Sequence, residues 1–138
     1  MLSREKVMHH SRVVHFEIPA DNVERAKNFY KQAFGWDINQ YPGMEYHMVN
    51  TTEVDQKTQM PTKPGAINGG LAKRNNDTNH ATVITVDVQD IEAALKSVEQ
   101  HGGKTVQKKQ PVADMGFTAY FKDTEGNIVG LWQSARKM

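Results

Sequence analysis

The sequence predicts an α+β fold built from two βαβββ modules. Three observations lead there: each half opens with a strand followed by a helix, a shift of 68 residues superposes the two helices, and three short strand segments follow each helix. Residues 13–18 are rich in β-branched and aromatic side chains, as a strand should be, and Pro19 is expected to end that strand. Asp21 stands three residues before Glu24, a capping-box pattern for a helix start. Val23, Ala26, Phe29, Tyr30, Ala33 and Phe34 then recur at helical spacing, and Gly35 closes the helix.

The second half repeats these signals. Residues 81–86 (ATVITV) read as a strand, and Asp87 and Asp90 as helix-start residues. Ile91, Ala94, Leu95 and Val98 form an apolar stripe before Gly102-Gly103. The shift lays VERAKNFYKQAFG (23–35) on IEAALKSVEQHGG (91–103), with Glu24/Glu92, Ala26/Ala94, Gln32/Gln100 and Gly35/Gly103 identical. Strand segments follow at 36–40, 45–51 and 66–73 in the first half, and at 104–107, 117–122 and 128–133 in the second. Pro42-Gly43, Pro64-Gly65 and the DTEGN of 123–127 supply the turns. The polar stretch 53–64 is the longest loop, a lid or a tolerated insertion.

The 138 residues suit one domain, 1–138, with repeats at about 12–74 and 80–134. Seventeen Lys and Arg face sixteen Asp and Glu, and no basic cluster exceeds a dipeptide such as Lys108-Lys109. A nucleic-acid partner is therefore not expected. The absence of cysteine excludes disulfides, thiolate catalysis and Cys-ligated zinc. No apolar run approaches the roughly 18 residues of a membrane span, and the opening MLSREKVMHHSR has no apolar h-region. A cytoplasmic protein is the expectation.

The HFEIPADNVERAKNFYKQAFGW opening, the KDTEGNIVGLWQ ending and the paired modules resemble the glyoxalase/bleomycin resistance/extradiol dioxygenase (vicinal oxygen chelate) superfamily, in a lactoylglutathione-lyase-related branch that lacks most metal ligands. The resemblance implies a curled eight-stranded mixed sheet around a cleft. Catalytic members hold one divalent metal there with two histidines and two glutamates, for Lewis-acid chemistry or dioxygen activation. His15 matches the first ligand position. Gly70 stands at the second, a residue among Ala81 to Val83 at the third, and Gly130 at the fourth. Glycine has no side chain to donate, and one imidazole does not hold a divalent ion against water. The expectation is a small-molecule-binding protein without the metal, acting as a homodimer or compact monomer. The alternative is a lyase, isomerase or dioxygenase with Fe, Mn, Ni or Zn on a shifted set of His15 with Glu17, His47 or His80.

Strand alternation assigns the lining. If Val14, Phe16 and Ile18 pack under the helix, then Val13, His15 and Glu17 face the cleft. Asn68 and Gly70 join them from the fourth strand, Thr118 and Tyr120 from the seventh, and Gly130 and Trp132 from the last. Tyr46 and Met48 are further candidates, on a strand whose facing stays open because both parities carry apolar residues. The two glycines are expected to leave room for a bulky, partly aromatic ligand. Trp132 and Tyr120 would be its stacking surfaces, and His15 and Glu17 its polar handles or an acid/base pair. A structural ion pair is the competing reading of His15 and Glu17.

Overall fold

The computed structural model of the protein describes residues 10–135. Its elements are β1 (Val13–Ala20), α1 (Val23–Phe34), β2 (Asp37–Gln40), β3 (His47–Asn50), β4 (Gly69–Lys73), β5 (Val83–Asp87), α2 (Ile91–Gln100), β6 (Lys104–Val112), β7 (Gly116–Lys122) and β8 (Ile128–Ser134). The eight strands form one open mixed sheet in the order β2-β3-β4-β1-β5-β8-β7-β6. β1 runs parallel to β4 and β5 parallel to β8, while β1 and β5 meet antiparallel in the middle. The expected βαβββ order is therefore present twice.

Both helices cover the same sheet face. Phe16 and Ile84 are register partners across β1 and β5 and so share a side. Under α1, Leu71, Val49, Ile38 and Ala20 form a buried cluster with Phe16, Ile18, Val23, Ala26 and Tyr30 against it. Under α2, Ile91, Leu95, Ala119 and Leu131 form the second. The other face carries the side chains of His15, Glu17 and Tyr120, with Gly70 and Gly130 in register beside them.

Several local expectations are corrected. Pro19 does not end β1; it pairs with Ala72, and the strand runs to Ala20. Beyond Glu17 that strand has, among the described residues, only β4 as a partner, so a residue there can do without its N–H. Asn22, not Asp21, caps α1, its side chain accepting from Arg25 N at 2.9 Å. Asp21 instead takes Arg74 Nε at 2.8 Å on the surface. Asp90 caps α2 by accepting from Glu92 N and Ala93 N, and Gly35 ends α1 at φ 71°, where a side chain would strain. The α1 stripe is only partly covered: Phe29 and Phe34 are 57% and 63% exposed, while Tyr30 stacks on Trp36 at 5.1 Å. β6 extends to Val112, well beyond the expected 104–107. Its KTVQKKQPV sequence lacks apolar alternation, and pairing to β7 sets the strand. Lysines and Pro111 on this edge strand are the usual guards against further pairing.

Candidate functional site

β1 sets two polar side chains into the face opposite the helices. His15 and Glu17 are two residues apart and so project to the same side. Each meets a tyrosine from a different half of the sheet. His15 Nε2 lies 2.8 Å from Tyr46 Oη. Tyr120 Oη donates to the Glu17 carboxylate, at 2.9 Å from Oε1 and 2.8 Å from Oε2. The facing of the β3 segment is thereby settled: Tyr46 and Met48 point to the cleft, and Val49 to the core.

The space over Gly70 is filled from above, and that over Gly130 is closely bordered. A Cβ on Gly70 would collide with the hydroxyl and ring of Tyr46. A Cβ on Gly130 would lie 3.0 Å from Thr85 Oγ1 and 3.4 Å from the Tyr120 ring. The expectation of extra volume is overturned at Gly70. Gly70 leaves room for Tyr46, which lies over it much as an aromatic residue covers a cross-strand glycine, and the Tyr120 ring lies beside Gly130. Of the surface concavities, one of about 90 Å³ lies among His80, Val83 and Ile128, and a groove of about 370 Å³ lies between Ile18, Arg25, Phe29 and Arg74. Neither includes His15 or Glu17.

Burial governs the titration of the site. It pushes the His15 imidazole down from 6.5 to about 4, so the ring is neutral near pH 7. It pushes the Glu17 carboxyl up, against the opposing hydrogen bond from Tyr120. Both tyrosines are pushed up, first by burial and then by the charge of Glu17, so both phenols keep their protons. The assembly is thus a neutral imidazole with a phenol and a carboxyl group with a phenol. His15 and Glu17 do not form an ion pair with each other.

Other expected residues are placed as follows. Met48 is the register partner of Gly70 and is 38% exposed on the cleft face. Thr118 is opposite Trp132, and its hydroxyl donates to Leu131 O at 3.1 Å. Trp132 packs its ring over Gly116. Asn68 Oδ1 accepts from Thr51 N at 2.7 Å and Thr52 N at 3.2 Å, which clamps the chain after β3. Sequence reasoning missed Thr85. It is 4% exposed, stands in register between His15 and Gly130, and its hydroxyl has no hydrogen-bond partner. Its parity with Val83 was the available signal.

The residues do not fit the family's four-donor metal set. Gly70 and Gly130 supply no donor, Tyr46 occupies the space over Gly70, and His15 Nε2 is engaged by Tyr46. Val83, the cleft-facing member of the three candidate third positions, is 2% exposed and apolar. The shifted set is not brought together either. His47 pairs opposite Leu71, whose side chain belongs to the helix-side core. His80 precedes β5 and is exposed, and its carbonyl accepts from Arg74. Among the described residues no three His, Cys, Asp or Glu side chains cluster. Among them, too, no helix is long and apolar enough to cross a membrane.

Comparison with known proteins agrees with this architecture. The chain is 33% identical over 125 residues to a glyoxylase-like domain-containing protein of Didymella fabae, covering 86% of this chain and 90% of that one. It is 31% identical over 124 residues to the putative glyoxylase CFP32 of Mycobacterium tuberculosis, of which it spans 44% of the length. The structure of methylmalonyl-CoA epimerase from Mycobacterium tuberculosis superposes with a TM-score of 0.60 over 95% of each chain at 12% identity, a likeness of fold. Residues 12–131 match the family model, and the chain belongs to the Glyoxalase/Bleomycin resistance protein/Dioxygenase superfamily.

Proposed function

We propose that this chain is a small-molecule-binding member of its superfamily whose cleft works without the divalent metal. The observation that carries the reading is Tyr46, which stands over Gly70 and holds His15 Nε2 at 2.8 Å. A phenol has taken over the imidazole that would otherwise be a ligand. His15 and Glu17 serve as the polar contacts, and remain the candidates for acid/base work. Tyr120, Met48 and Trp132 offer apolar and aromatic contact to a flat or amphipathic ligand. In the same reading the chain acts in the cytoplasm as a homodimer, with a small molecule and not nucleic acid as its partner. Its lack of cysteine and its near-balanced charge support that setting.

Fluorescence tests the reading. A flat aromatic probe such as a naphthyl derivative is expected to quench Trp132 equally with and without a chelator. The Trp132→Phe variant should lose that quench while keeping the emission of Trp36. Binding that disappears on chelation contradicts the proposal.

A further inference from the structure

Glu17 lies on the sheet face opposite the helices, and among the described residues its one hydrogen-bond donor is the hydroxyl of Tyr120. Among the described residues no cationic side chain pairs with it. A carboxylate held this far from water is costly unless something neutralises it. Its surroundings suit a cation. Tyr46 lies close enough for the Glu17 charge to push its phenol up, and Met48 adds a polarisable side chain at the exposed rim. The Tyr120 ring spans the floor from Glu17, through its hydroxyl, to the edge of Gly130 beside Thr85.

Thr85 is the second, independent observation. Its Oγ1 is buried on the cleft face and has no partner. An unpartnered buried hydroxyl is destabilising by itself and calls for a partner. Thr85 Oγ1 can accept an N–H that Glu17 does not take.

We propose that the cleft recognises a small organic cation, a primary or substituted ammonium on an apolar body, with Glu17 as its counter-charge and Thr85 Oγ1 as its second acceptor. The tyrosine rings and Met48 receive the apolar body and the charge-bearing carbon atoms. The inference rests on the small-molecule reading above and narrows the ligand class. It uses Glu17 as a binding group, and requires no reaction.

Matched probes of one shape test it: benzylamine, benzyl alcohol and benzoate, titrated by calorimetry into the intact protein. Benzylamine is expected to bind about tenfold or more tighter than benzyl alcohol, the range of a desolvated charge and aromatic contact, and benzoate weakest. Glu17→Gln, near-isosteric and still able to accept from Tyr120, should bring amine and alcohol to equal affinity. Thr85→Val should weaken the amine alone, with the melting temperature showing that each variant is folded. If alcohol and benzoate bind in competition with the naphthyl probe and the amine is no tighter, the cation inference fails and the small-molecule reading stands. If no member binds and the naphthyl probe does not quench Trp132, both fail.

Discussion

Gly70→Glu is expected to lose about 2–4 kcal/mol of stability, combining an overpacked site with a buried hydrogen bond broken at its partner. The side chain it introduces starts inside the volume of the Tyr46 ring. Tyr46 must swing away, leaving His15 Nε2 without its 2.8 Å partner and placing a carboxylate opposite Glu17, the register partner of Gly70. Backbone strain is not involved, because Gly70 is not among the glycines at positive φ. Chemical denaturation of the variant, of Tyr46→Ala and of the double variant separates the effects. The double variant should be more stable than the sum of the two single losses predicts, since removing Tyr46 opens the space the glutamate needs. A neutral Gly70→Glu, or strictly additive losses, means that Tyr46 does not occupy that space in solution.

The fold was legible for reasons visible in particular residues. The Asp90 cap, the Gly35 stop and the α2 stripe are local signals that the tertiary structure uses as they stand, whereas the α1 cap lies one residue beyond the expected Asp21, at Asn22. Alternation in β1 was equally readable, because Phe16 and Ile18 are apolar where His15 and Glu17 are not. What could not be read were features set by a neighbouring strand. Polar β6 owes its length to β7, and Pro19 owes its place in β1 to the missing neighbour on one side. The partnership of Tyr46 with Gly70 and His15 joins residues 24 and 31 positions apart, on a strand with apolar residues at both parities. Thr85 reads as an ordinary strand former until register puts it between His15 and Gly130. Asn68 shares the parity of Gly70, yet local backbone donors claim its side chain.

The second large effect is on acid stability. Folding lowers the His15 pKa from 6.5 to about 4. Between those values the unfolded chain binds a proton that the folded chain refuses, so stability falls as pH drops through that window. The full loss, complete below about pH 4, is about 3 kcal/mol. Glu17 acts in the opposite sense. Its folded pKa is raised, so the folded state holds a proton between the ordinary carboxyl value and that raised one, and gains stability as pH falls through the interval. The net acid limb is thus shallower than His15 alone would give. His15→Gln, which can still bond Tyr46, should lose the fall between pH 6.5 and 4 and expose the opposing slope of Glu17. Urea midpoints measured across that range read the difference directly. An unchanged acid limb in His15→Gln would show that His15 is solvated and protonates freely.

Calorimetric melting with and without Zn²⁺ or Ni²⁺, on the wild type and on His15→Ala, tests the central claim most directly. A divalent ion held by the folded cleft at 100 times its dissociation constant would add about 2.7 kcal/mol, a shift of several degrees for a chain of this size. The Tyr46-bound imidazole and the two glycines without donor atoms predict no metal-dependent rise in either protein. A rise in the wild type that His15→Ala abolishes contradicts the account, because it would make His15 a working metal ligand and not a polar contact of a metal-free cleft.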